Sequence, residues 1–362
     1  MRKRRNNTTL FIGIGVALVC LSMLVLLLLL LLGIKSKDAS KSTDADKDSN
    51  LRESLEQIFE PLDEKQDDQT QTDEEKQPED RPQLSGSQTD PEISDIESDL
   101  VFAGRNHWLF YKSTQDGDTM ADYYGTNDFS QKELEQIASA LKRQAQAIEQ
   151  TGARFVLLIV PNKEVVYDQF MPADMIRDSA VVSRTDKLVS YLQQNTDLDV
   201  IYVKDKFLGM RNDEKLIYYK TDTHWNMRGC YVAVQEILQD LYGRSRPIEE
   251  VTFQEHLYDF AGDLVAKAGV GTEYNVDTVY FLGADQVTEE EKVDDSLLLV
   301  GDSFAEFMKM EMDYYFRGGV VDGNVEKYSY NFYKATAANL DKAPDVVVWE
   351  CCERHVSRLG AE

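Results

Sequence analysis

Hydrophobic and polar positions along this chain fall into distinct regimes. Leu10 to Ile34 run without a charged residue, and at about 20 residues per bilayer crossing that is long enough to span. From 35 to 98 the chain is Asp, Glu, Ser, Thr, Gln and Lys with few aliphatics. Such a segment buries too little apolar surface to offset its ordering entropy and is expected to be a disordered acidic linker. A brief amphipathic patch, Leu51 to Leu62, predicts at most a short solvated helix.

From Asp99 onward helical and strand periods alternate. "VFAGRNHWLFYKS" predicts a strand or hairpin turning at Gly104 and Asn106. "SQKELEQIASALKRQAQAIEQTG" starts at an N-capping Ser130 and places Leu134, Ile137, Leu141 and Ile148 on one helical face. "RFVLLIVPNKEVVY" is an apolar run of the kind buried on both faces of a parallel sheet, stopped by Pro161. The alternation continues with "RTDKLVSYLQQNT" as helix, "DVIYVKDKF" as strand and "MRGCYVAVQEILQDLYG" as helix. "DSLLLVGDSFAEFMKMEMDYYF" then reads as strand, turn and helix, and "PDVVVWECCERHVSRL" as a last strand. The pattern predicts an α/β three-layer sandwich with a mostly parallel sheet over 99–362. Residues 248–293 are less regular and read as an insertion beside the site, with "DFAGDL" as the turn-like part.

The apolar run 10–34 is longer than the roughly 7 to 15 residues of a cleaved signal peptide, and "LLLLLLLGIKSK" has no small-residue cleavage site. An uncleaved membrane anchor is expected, with the basic tail 1–9 cytoplasmic and everything after Lys35 outside. As a flexible coil the linker reaches about 40 to 50 Å, which keeps the folded part near the membrane.

The net charge of −26 is spread over linker and folded region. That excludes nucleic acid as a partner and disfavours a strongly polyanionic substrate. Of four cysteines, Cys20 falls in the apolar run. Cys230, Cys351 and Cys352 lack zinc-ligand spacing, so no metal or cofactor is expected. A disulfide from Cys230 to Cys351 or Cys352 and three buried thiols both fit the sequence.

Ligands of open parallel sheets sit at the carboxyl ends of strands, which singles out "LLLVGDSF". Ser303 there is either a nucleophile on a strand-to-helix turn, its N–H available to an oxyanion, or one of two residues that cap a helix. A serine needs an imidazole to take its proton and an acid to orient the imidazole. "YYKTDTHWN" offers both in His224 and Asp222, whose side chains share a side of an extended segment. By itself that pair also fits a polar turn before the next helix. His107, His256 and His355 compete less well as bases, and Cys351 and Cys352 show no activating neighbour.

With these residues placed, the chain resembles the SGNH-hydrolase-like domains of the alginate O-acetyltransferase AlgX/AlgJ family, including Gram-positive DHHW-type proteins. The resemblance rests on "WLFY", "VPNKEVVY", "YYKTDTHWN", "AGDL", "GDSF" and the final Glu353-Arg354. It implies a circularly permuted fold, since Asp-x-His here precedes Gly-Asp-Ser. It also implies Ser303 as nucleophile, His224 as general base and Asp222 as orienting acid. Members work with a membrane-bound O-acyltransferase that supplies acetyl, so a single-pass extracellular O-acetyltransferase acting on a cell-surface or secreted polysaccharide is expected. A carbohydrate module like that of AlgX is not expected after this domain, which is nearer to an AlgJ-like arrangement. Lys163, Trp225 and Arg228 are offered as residues lining the substrate site, and each fits packing or surface equally well. An acetyl-esterase of the same fold and a catalytically silent glycan-binding or scaffold domain are the alternatives.

Overall fold

The computed structural model of the chain describes residues 96–360, apart from 97, 258–260, 275, 324 and 325. The expected basic tail, membrane anchor and most of the linker lie outside the described residues. Among the described residues no helix is long and apolar enough to cross a membrane.

The strands are β1 Val101–Ala103, β2 Leu109–Tyr111, β3 Arg154–Val160, β4 Val200–Tyr202, β5 Phe253–Leu257, β6 Thr278–Leu282, β7 Leu297–Val300, β8 Val320–Asp322 and β9 Val346–Cys352. The helices are α1 Thr119–Tyr123, α2 Gln131–Glu149, α3 Lys163–Val166, α4 Arg184–Asn195, α5 Lys204–Met210, α6 Met227–Tyr242, α7 Asp263–Ala268, α8 Ala305–Tyr315 and α9 Tyr330–Ala337. A five-stranded sheet has the order β4-β3-β9-β7-β8, and every adjacent pair in it is parallel.

Side chains alternate across a strand, so a strand covered on both faces must be apolar at every position. β3 does this: Val156, Leu158 and Val160 enter one core with α6 and α8, while Phe155, Leu157 and Ile159 enter the other with α2 and α4. β9 is buried along its whole length between β3 and β7. Its one charged residue, Glu350, is therefore caught inside.

Local signals place the helices on these faces. α2 starts with a reciprocal capping box between Ser130 and Glu133 and buries Leu134, Ile137, Leu141 and Ile148. A fully buried leucine or isoleucine contributes about 1.5 to 3 kcal/mol. α6 is capped by Asn226, whose side chain accepts from the N–H groups of Arg228 and Gly229, and it ends at Gly243 with φ 65°.

Two sequence expectations change. "DVIYVKDKF" is a strand only over β4, because the chain turns at Val203 and continues as α5. The irregular 248–293 segment contains an antiparallel pair, β5 with β6, around α7. The first hairpin forms as expected, with Phe102 opposite Phe110, and α7 lies against it through Leu264 and Val265. Cys230, Cys351 and Cys352 are free, buried thiols.

Candidate active site

β3, β9 and β7 end at the same edge of the sheet, so the residues following Val160, Cys352 and Val300 converge there. Between β7 and α8 the chain must reverse within Gly301 to Phe304. A Cβ at Gly301 would lie 2.5 Å from Ala305 Cβ and 2.6 Å from Glu350 Oε2, so only glycine fits. Asp302 closes this turn: its Oδ1 accepts from Phe304 N–H at 3.0 Å and its carbonyl from Ala305 N–H at 3.0 Å. The helix begins after Phe304 with no side-chain cap, from Ser303 or any other residue. The Ser303 hydroxyl lies 2.6 Å from His224 Nε2.

His224 comes from a loop closed at its base by a bridge between Tyr218 and Trp225. Asp222 Oδ1 accepts from His224 Nδ1 at 2.6 Å and from His224 N–H at 3.0 Å, while Oδ2 accepts from Asp263 N–H at 2.8 Å. Burial raises the Asp222 carboxyl, but the hydrogen bonds it accepts from the His224 ring and from the backbone N–H groups of Asp263 and His224 outweigh it and hold the group well below the usual carboxylate range. An ionised Asp222 only accepts, so Nδ1 carries the hydrogen and Nε2 presents a lone pair to the Ser303 hydroxyl. Thr223 Oγ1 is 3.3 Å from Nδ1, but that hydroxyl donates to Asp263 Oδ2 at 3.0 Å. Asp222 is the orienting partner.

The side chain of His224 is 19 % exposed against 10 % for Asp222, so solvent meets the imidazole while the carboxylate sits behind it. The ring packs on Phe304 with centroids 4.8 Å apart. An imidazole fixed by an ionised carboxylate and aimed at a partly exposed serine can deprotonate that serine.

Residues 101–353 match the family described as SGNH hydrolase-like domain, acetyltransferase AlgX. The chain belongs to this family. Among solved structures it is similar to the O-acetyltransferase domain of Pseudomonas putida AlgJ, with 18% identity over 71% of this chain and 92% of that one and a TM-score of 0.49. It is similar to Bacillus cereus PatB1, with 14% identity over 71% and 97% of the two chains and a TM-score of 0.49. A DHHW family protein from Eubacterium siraeum shares 15% identity over 72% and 97%, with a TM-score of 0.44. A comparison with curated proteins finds no match.

Two of the other candidate residues of this family member, Lys163 and Trp225, bond internally to the loop and turn that carry the site. Lys163 is 1 % exposed. Its Nζ donates to the carbonyls of Tyr219, Lys220 and Asp222 at 3.3, 3.0 and 2.5 Å. Burial pushes this ammonium's pKa down, opposed by Glu164, Asp277, Asp222 and Asp263. With its donors committed to the loop that carries His224, Lys163 acts as an internal clamp. Trp225 is fully buried, and its Nε1 donates to the Phe304 carbonyl at 3.1 Å; it joins the His224 loop to the serine turn. Arg228 lies against the rings of Phe253 and Tyr280 at 5.4 and 5.6 Å, on the β5–β6 side. All three side chains are buried.

Among the described residues, two groups bring donor atoms within 4.8 Å of one another, Asp222 with His224 and Asp263, and Asp302 with Cys352 and His355. In both, imidazole–carboxylate hydrogen bonds already use the ring nitrogens. Burial pushes the Cys352 thiol well up, which favours the hydrogen-bonding thiol over a thiolate ligand. Asp263 escaped the sequence reading because its part in the site is a backbone contact to Asp222, 41 residues away.

Proposed function

We propose that the protein is an O-acetyltransferase that carries acetyl on Ser303 and passes it to a hydroxyl of a cell-surface or secreted polysaccharide. The observation that carries this reading is the hydrogen-bonded chain from Ser303 through His224 to Asp222, at 2.6 Å for each link. His224 Nε2 takes the Ser303 proton as Oγ attacks the donor's acetyl carbonyl. The tetrahedral oxyanion collapses and expels the donor's leaving group, which receives the proton from His224. A sugar hydroxyl then gives its proton to His224, attacks the acetyl-serine and releases Ser303, which is reprotonated. Asp222 stays ionised throughout and stabilises the imidazolium. The Ser303 N–H, at the head of α8, is the first donor proposed for the oxyanion.

The rest of the chain suits this role. The apolar run 10–34 is proposed to anchor the protein with its N-terminus in the cytoplasm, and the acidic linker to tether the 99–362 domain outside. A membrane-bound O-acyltransferase is the partner proposed to supply acetyl. The test is an activated acetyl ester offered with and without an oligosaccharide. Acetylated sugar, formed by the native chain and absent with Ser303→Ala, is the expected result. Release of free acetate alone would leave an esterase and sink the transferase reading.

A further inference from the structure

A second imidazole lies directly behind the serine turn. His355 is 3 % exposed, in the 3₁₀ run Glu353–Gly360 that follows the central strand β9. Its Nδ1 is 3.1 Å from Asp302 Oδ2 and its Nε2 is 2.8 Å from Asp116 Oδ1. Asp302 also accepts from the N–H groups of Phe304 and Cys352, each at 3.0 Å. One carboxylate thus ties the turn that presents Ser303 to the end of β9 and to His355. Asp116 is brought in by a loop that presses on the same run: Gly117 has φ 88°, and a Cβ there would lie 2.2 Å from the Arg354 carbonyl oxygen.

We propose that His355, clamped between Asp116 and Asp302, is a positioning residue that holds Asp302 and through it the turn aiming Ser303 at His224. The inference rests on the catalytic reading above and adds to it a device outside the Ser303, His224 and Asp222 chain. Both ring nitrogens face carboxylates, and a neutral imidazole can donate to only one of them. The clamp is therefore complete only when His355 is an imidazolium. Burial lowers the His355 pKa, but the hydrogen bonds its ring donates to Asp116 and Asp302 outweigh it and raise it above the ordinary 6.5. Both carboxyls are held well below their usual range.

The charged and titratable groups facing the ring come from several elements. Besides Asp116 and Asp302 they are Cys352 at 3.2 Å, Glu326 at 3.9 Å and Arg354 beside it in the run. Arg358 engages Asp116 and Glu326 from the far side. The Cys352 thiol is pushed well above its ordinary value, leaving His355 to titrate first as pH rises from neutral. The folded state holds this proton more tightly than the unfolded chain does. The clamp's contribution is thus full below pH 6.5 and is lost as pH rises through the raised folded value.

The test follows the rate at which Ser303 displaces fluoride from phenylmethylsulfonyl fluoride in the full-length protein in detergent micelles. Intact mass reads the adduct across neutral to alkaline pH, with Ser303→Ala as the blank. The native chain is expected to be labelled at Ser303, with a rate whose alkaline side bends down as His355 loses its proton. His355→Gln, which cannot titrate, is expected to react about tenfold more slowly or worse and to lack that bend. Should His355→Gln not fold, Asp116→Asn decides. Asp116 has a side chain 36 % exposed, and its loss is expected to move the bend to lower pH. A purely structural His355 would leave the bend in place. The inference fails if the native chain is labelled while the folded variants keep its rate and profile. No labelling of Ser303 in the native chain would instead overturn the catalytic reading, and this inference with it.

Discussion

Asp222 shows how much of the site depends on single atoms. Each of its oxygens has a separate duty: Oδ1 orients the His224 ring and Oδ2 accepts the Asp263 N–H. Replacing it by Asn keeps the size but puts an NH₂ on one side, which disfavours the tautomer with its lone pair towards Ser303. Asp222→Asn is expected to lower acetyl transfer by about 10⁴-fold while leaving the chain folded, as read from initial rates alongside the thermal transition. The residue types and the short spacing of Asp222 and His224 were legible in the sequence. The choice between capping turn and catalytic pair was not, since it depends on whether a serine 79 residues further on comes within 2.6 Å. For Lys163 and Trp225 the residue types fitted ligand contact and packing equally, and only the structure shows that both are buried in internal hydrogen bonds.

At the scale of elements, the segment predicted to be an irregular insertion supports the His224 loop through backbone contact. Gly262 lies so close that a Cβ would meet the Thr221 carbonyl oxygen at 2.2 Å and Asp222 N at 2.6 Å. Those neighbours are backbone atoms and have no rotamer to give. Gly262→Ala is expected to destabilise the fold by about 1 to 3 kcal/mol and to displace Asp222 from His224. A urea titration checks the first effect. The second predicts a loss of acetyl transfer larger than the unfolded fraction accounts for. "AGDL" was visible as a turn, but the reason for its glycine was not, because sequence does not say which backbone another backbone will touch. β3, β7, β9 and α2 were legible from period and capping alone. β4 was over-extended because "VIYVKDKF" is apolar enough for a strand until the chain turns at Val203.

Across the whole molecule, the described core begins near Ile96, which packs against the hairpin cluster of Val101, Leu109 and Leu264. Ser98 also bonds to the Lys267 carbonyl at 2.7 Å. A fragment from Ile96 to Glu362 is expected to keep the thermal transition of the full chain and the Ser303 reactivity. It is expected to leave the membrane fraction, whereas the full chain sediments with membranes. Retention of the fragment on membranes would overturn the proposed anchor. The sequence by itself determined the parallel α/β pattern and the strand-to-helix setting of Ser303, because each follows from local periodicity and turn chemistry. Tertiary structure alone decided that His224 faces Ser303, that Lys163 and Trp225 serve as internal supports, and that His355 stands behind the serine turn. Those relations join residues distant along the chain, and only the convergence of β3, β7 and β9 at one sheet edge brings them within hydrogen-bonding distance.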